Sequence, residues 1–328
     1  MPAAERMGAM QIAARAMRSL SGIRDPEPAQ AADDAAPAVL GRVDCGGDYA
    51  EIETRFEPEA RILWRSRRTD GPTWLSLDML AELRDVQTRL SHGIAEDGDP
   101  GGRPVRALVS CSPEPGIWCH GLDLRLLARL IRSENVTGLR RYLQAAIDAL
   151  FPNTIGLHMP ILTVALVQGD ALGGGFEAAL AHDVIVAESG TRLGLIDVRL
   201  GLPPGIGAFP LLARRIGRTR AERVLGEGRA LTAEALQALG VVDLVAHPGQ
   251  GPVAVRSMLA MEERRNDARL RLADARRRER PLAYDELLER AEHWIEAALT
   301  LQPDDLVRMD RLAVRQTMRS LRASPGLL

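Results

Sequence analysis

The chain of 328 residues has no lysine: all 42 of its basic positions are arginine. That bias fits a GC-rich genome, and arginine also suits bidentate contacts with phosphate. A marked excess of either charge is missing too. A net charge of −2 excludes the strongly basic balance of a general nucleic-acid binder. Apolar runs stop at about seven residues, far below the roughly 20 that span a bilayer, so no transmembrane helix is expected. The three cysteines, Cys45, Cys111 and Cys119, are an odd set without metal-ligand spacing, and the six histidines are scattered. Reduced thiols, no metal and a cytoplasmic location follow as expectations. The N-terminal stretch lacks the continuous apolar core of a secretory signal.

What the chain does have is ordinary globular content, with 46% hydrophobic residues, and an ordered alternation of elements. Residues 25–38, DPEPAQAADDAAPA, read as a disordered linker. A hairpin-like pair of strands is expected between Tyr49 and Trp64, then a helix near Ser76–His92 and a surface loop at EDGDPGGRP. Val105–Cys111 reads as a buried parallel strand, followed by a helix from Asp123 to about Arg132. Leu162–Val167 is a second strand leading into glycines 173–175, and Val184–Ala187 a third. Strands alternating with helices predict an α/β layered core with parallel strands. Residues 210–240 read as helical with a glycine break, and 253–320 as strongly helical. There the arginine-rich segment RRNDARLRLADARRRER, read as a solvated face, is separated from the next helix by Pro281.

The chemistry concentrates in LVQGDALGGGFEAALAHDVIVAESGTRLGLIDVRLGLPPGIG, residues 166–207. A glycine turn from a buried strand into a helix leaves amide N–H groups unsatisfied at the helix start. Such donors suit the negative oxygen that develops on a thioester carbonyl during enolisation or water attack. Gly174 is the central candidate. Glu177, one helical turn on, and Asp197 supply the two carboxylates that acid/base work needs: one removes an α-proton while the other protonates a departing 3-hydroxyl. Arg125, Arg129 and Arg132 share one face of their helix, as a basic stripe for an acidic carrier protein or as a solvated face.

Four blocks in order, QGDALGGGFEAAL, HDVIVAE, LGLIDVRLGLPPGIGAF and RTRAERVLGEGRALTAEALQALGVVDLV, resemble the crotonase (enoyl-CoA hydratase/isomerase) superfamily. PGIGAF at 204–209 and MDRLAVRQ at 309–316 bring the likeness closer to its diffusible-signal-factor synthase branch. It extends to YAEIETRFEPEARILW and PGIWCHGLDLRLLARLI, over roughly residues 45–320.

The resemblance implies a ClpP/crotonase-like core of stacked ββα units over residues 45–252, a C-terminal helical region over 253–328, and a disordered extension over 1–44. It implies an oxyanion hole from the Leu122 and Gly174 amides, catalysis by Glu177 and Asp197, and a substrate site that includes Trp118, His120, Gly121, Gly173, Gly205 and Ile206. The reaction implied is dehydration of a 3-hydroxyacyl thioester to a cis-2-enoyl thioester, followed by hydrolysis to the free acid. Enoyl-CoA hydration or isomerisation, and non-catalytic thioester binding, are the alternatives. No cofactor is implied beyond the acyl-ACP or acyl-CoA substrate. Partners would be acyl-carrier protein or a CoA thioester and further copies of the chain, as a trimer or hexamer, with no nucleic acid and no membrane. Two positions depart from the pattern: Leu122 stands where the signal synthases carry glycine, and Asp197 where the family carries glutamate, a side chain one methylene longer.

Overall fold

Strands β1 (Ile52–Glu57) and β2 (Ile62–Arg67) pair antiparallel at the start of the described chain, where the alternating stretch predicts them. In this computed structural model the described residues are 48–93, 105–113, 116–195, 197–265 and 267–323. The expected extension over 1–44, Cys45 and the loop EDGDPGGRP lie outside them. Helix α1 (Leu77–Gly93) follows β2.

Three times the chain then makes a strand in one layer and a shorter strand in a second layer. β3 (Ala107–Cys111) leads to β4 (Gly116–Cys119) and helices α2 (Leu124–Arg132) and α3 (Val136–Thr154). β5 (Leu162–Val167) leads to β6 (Gly169–Leu172) and helix α4 (Gly174–Leu180). β7 (Val184–Glu188) leads to β8 (Arg192–Gly194), a 3-10 turn at Asp197–Leu200, and helices α5 (Ala208–Ile216) and α6 (Arg218–Gly226). β9 (Leu231–Thr232), α7 (Ala233–Ala238) and β10 (Leu244–Ala246) complete the layers. The larger sheet runs β1-β2-β3-β5-β7-β10, parallel from β2 onward. The smaller runs β4-β6-β8-β9, parallel except at β9.

β5 shows why the large sheet was readable. All six of its side chains are buried, as in a parallel strand covered on both faces, and the sequence is correspondingly an unbroken apolar run. The small sheet supplies the second strand of each ββα unit that the resemblance implies, but the residues themselves do not announce it. The stretch between Leu162–Val167 and the glycine turn, expected to be direct, contains β6, and β4 sits in what reads as loop. Helix α3 was likewise unassigned. It starts at Asn135, whose side chain accepts from the Gly138 amide at 2.8 Å.

Helices α8 (Gly251–Arg264), α9 (Ala268–Glu279), α10 (Tyr284–Ala298) and α11 (Pro303–Ala323) follow. The arginine-rich segment begins on the last residue of α8 and forms α9, the two parted where Asp267 takes a left-handed conformation with φ 55°. Only Ala273 of α9 is buried, so this face is mostly solvated, although Arg277 pairs with Asp183. Helix α4, at seven residues, is too short to persist alone. Burial of Phe176, Ala179 and Leu180 in the main core holds it, the phenylalanine alone contributing on the order of 2 kcal/mol.

Candidate active site

The loop from His120 to Leu124 carries five backbone amides, and four have acceptors. His120 donates to the Thr73 carbonyl at 2.8 Å, Gly121 to Cys119 Sγ at 3.4 Å, Asp123 to Tyr142 Oη at 2.7 Å and Leu124 to Gln316 Oε1 at 3.4 Å. Among the described residues the Leu122 amide meets none. Asp123 also caps α2, its side chain accepting from the Arg125 and Leu126 amides, so the loop ends in a fixed helix start. Opposite stands Gly174, the first residue of α4, whose amide also lacks an acceptor among the described residues. A β-carbon built on Gly174 would lie 3.5 Å from the Leu122 nitrogen. Two free donors thus converge, the arrangement that holds an oxyanion.

Glu177 is 5% exposed, and its Oε1 accepts from the Gly207 and Ala208 amides at 2.6 and 2.8 Å. Burial first, and then the charge of Asp197, push its pKa up to about 7, against the lowering effect of those amides. Asp197 opens the 3-10 turn after β8, and its Oδ2 accepts from the Gly205 amide at 3.2 Å. Burial pushes Asp197 up to about 6, with the Gly205 bond opposing the rise. One segment, Gly205–Ala208, therefore supplies amides to both carboxylates. Gly205 has φ 58°, and a β-carbon there would sit 2.4 Å from Glu177 Oε1, so glycine is required by backbone angle and by space. Near neutral pH the pair shares its protons unequally, one member able to accept while the other donates.

A cavity of about 200 Å³ brings together His120, Leu122, Gly173, Gly174, Glu177, Asp197, Gly205 and Ile206. Trp118 lies apart from these in a second cavity of about 110 Å³, which shares Leu122, Gly174, Glu177 and Ile206 with the first. Gly121 lines neither. It backs onto the glycine turn, where its Cα approaches the Gly174 backbone. Arg125, Arg129 and Arg132 also line neither cavity, and Arg132 is paired with Asp310 of α11. Cys111 and Cys119 are free thiols pushed up to about 12 and about 11 by burial. Neither supplies a thiolate at neutral pH. No group of three His, Cys, Asp or Glu side chains is placed to hold a metal ion among the described residues.

Sequence reasoning missed the residues that hold the loop. Tyr142, on the unassigned α3, accepts from Asp123 and donates to the Leu75 carbonyl. Gln316 on α11 donates from Nε2 to the carbonyls of Leu122 at 2.9 Å and His120 at 3.2 Å. Trp294, Met309, Leu312 and Arg315 of the terminal helices join it in walling the larger cavity. Only the placement of Gln316 inside MDRLAVRQ signalled any of this.

Stacked ββα units with paired amides at a strand-to-helix turn define the crotonase fold. A profile of the enoyl-CoA hydratase/isomerase family matches residues 100–270, and the chain belongs to that family. It is 31% identical over 244 residues to human mitochondrial methylglutaconyl-CoA hydratase, covering 74% of this chain and 69% of that one. It is 34% identical over 210 residues to the Rattus norvegicus enzyme of the same name, covering 63% of this chain and 64% of that one. In structure it resembles the enoyl-CoA hydratase of Bacillus halodurans, at TM-score 0.65 and 20% identity over 80% of this chain and all of that one. Pseudomonas aeruginosa DspI gives TM-score 0.58 and 22% identity over 73% of this chain and 92% of that one.

Proposed function

We propose that the chain is an enoyl-CoA hydratase-type enzyme, adding water across, or removing it from, the C2–C3 bond of an acyl-CoA thioester. The observation that carries this reading is the convergence of two unpaired amides, Leu122 and Gly174, with two acidic side chains, Glu177 and Asp197, on one cavity. The amides hold the thioester oxygen as it gains charge. The ionised member of the carboxyl pair directs water at C3, and the protonated member delivers the proton to C2. Membership of the family supports the same assignment. The test is incubation of purified protein with 2-enoyl-CoA thioesters, following loss of the conjugated thioester absorbance and formation of 3-hydroxyacyl-CoA by mass spectrometry. No hydration, and no dehydration of 3-hydroxyacyl-CoA in the reverse direction, would overturn it.

A second reading is a signal synthase that dehydrates a 3-hydroxyacyl carrier-protein thioester and releases a cis-2-enoic acid. What favours it is the helix bearing MDRLAVRQ, whose Met309, Leu312, Arg315 and Gln316 wall the cavity. Carrier-protein thioesters offered beside CoA thioesters separate the two, since only this reading yields free unsaturated acid. Assembly into a homo-oligomer belongs to either reading. It is supported by exposed Val307, Val314 and Met318 on α11 and is tested by sedimentation.

A further inference from the structure

The smaller cavity ends in a polar floor that hydration does not use. Arg65 of β2, 4% exposed, donates from Nη2 to Ser110 Oγ at 2.8 Å. Ser110 Oγ lies 2.8 Å from His182 Nε2, and His182 Nδ1 lies 2.7 Å from the Ala178 carbonyl. A carbonyl can only accept, so Nδ1 carries the proton, Nε2 accepts the Ser110 hydroxyl, and a Ser110 lone pair is left for Arg65. That chain uses one nitrogen of the guanidinium. Among the described residues Nε and Nη1 of Arg65 have no acceptor, and neither has Nε1 of Trp118, which lines the same cavity.

Nothing nearby balances the charge. Among the described residues no carboxylate is in ion-pair reach of Arg65. The Cys111 thiol, pushed up to about 12, is neutral, and so is His182, which burial and Arg65 push down to about 3. A buried cation with no counter-charge and with two of its nitrogens unsatisfied opposes folding, so its retention calls for an acceptor from outside the chain.

The other end of this cavity is the reacting centre, lined by Leu122, Gly174 and Glu177, with Leu80, Leu83, Ile147 and Leu150 as apolar walls. We propose that Arg65, with Trp118, receives an anionic acyl terminus, so that the preferred substrate is a thioester whose acyl chain ends in a carboxylate. This rests on the acyl-thioester reading of the site above. The apolar walls stand between Glu177 and Arg65, so an acyl chain must cross them before its terminus meets the guanidinium.

Calorimetric titration of the full chain with unreactive saturated thioesters tests this, comparing suberyl-CoA with octanoyl-CoA and adipyl-CoA with hexanoyl-CoA. The members of each pair are equal in chain length and differ only at the far end. Wild type is expected to bind the dicarboxylic member at least tenfold more tightly in one pair. Arg65→Met is expected to lose that preference while its ligand-free melting temperature holds or rises, which a merely structural arginine would not allow. Arg65→Lys, which keeps the charge, is expected to retain part of the preference and serves should the Met variant not fold. Equal binding of the paired thioesters by wild type overturns the inference and leaves the thioester reading standing. Persistence of the preference in Arg65→Met overturns it too, and failure of all four thioesters to bind removes both.

Discussion

Gly121 and Gly174 touch backbone to backbone: a β-carbon on Gly121 would stand 2.7 Å from the Gly174 nitrogen. Gly121 also has φ 82°, a conformation costly for any residue with a side chain. Gly121→Ala is therefore expected to push the two oxyanion amides apart, and displacement of about 1 Å is enough to cost around a hundredfold in rate. Steady-state hydration of an enoyl-CoA by the variant measures it, with circular dichroism to establish that it folds. A folded variant of wild-type kcat would remove these amides from the mechanism.

For the carboxylates, Glu177→Gln keeps an oxygen for the Gly207 and Ala208 amides and removes only the exchangeable proton. Turnover is expected to fall by roughly 10²–10⁴ with thioester binding little changed. Asp197→Asn is expected to fall as far, because its charge is part of what raises Glu177. Single-turnover kinetics and direct binding separate the two effects, and an Asp197→Asn enzyme of full activity would leave Glu177 acting alone.

Both carboxyls are raised above their ordinary values, to about 7 and about 6, so the fold favours their protonated forms. The sign follows from linkage. Stability from these groups is complete below the ordinary carboxylate range and is lost as pH rises through about 6 and then 7. The melting temperature of wild type is expected to fall between pH 5 and pH 8 by more than that of Glu177→Gln. Thermal melts across that range read this directly, and parallel slopes would contradict it.

Gln316 touches no reacting atom in this scheme and is a positioning residue for the Leu122 amide. Gln316→Leu strips two buried carbonyls of a donor, a loss of about 1–3 kcal/mol in order of the loop. The expected result is a kcat lowered roughly tenfold at nearly unchanged KM. A purely structural role would lower the amount of folded enzyme and leave kcat per folded molecule intact.

The large sheet as far as β7, α1, α2 and the glycine turn are legible because each is announced locally, by an apolar run such as Leu162–Val167 or a cap such as Asp123, whereas β10, of three residues, is not. β4 and β6 are not, since strands of four residues are too short to show a period. They exist because β4, β6 and β8 pair with one another across long separations. The candidate site divides the same way. Glu177, Gly174 and Leu122 lie in motifs, whereas Tyr142 and Gln316 act through contacts that no nearby residue signals. Asp197, one methylene shorter than the family's glutamate, is held from the same segment as Glu177, by the Gly205 amide.

The bond between Gln316 and the Leu122 carbonyl joins residues 194 apart in sequence. Contacts at such separation close after local ones, because the intervening chain must first be ordered. On refolding, helical and sheet signals should therefore recover before the ability to bind a thioester oxygen. A nick between α10 and α11 should leave a protein that looks folded yet reacts poorly. The oxyanion loop is thus a checkpoint for tertiary assembly: its geometry is finished only when a distant helix has docked, and partly folded chains are spared a working site.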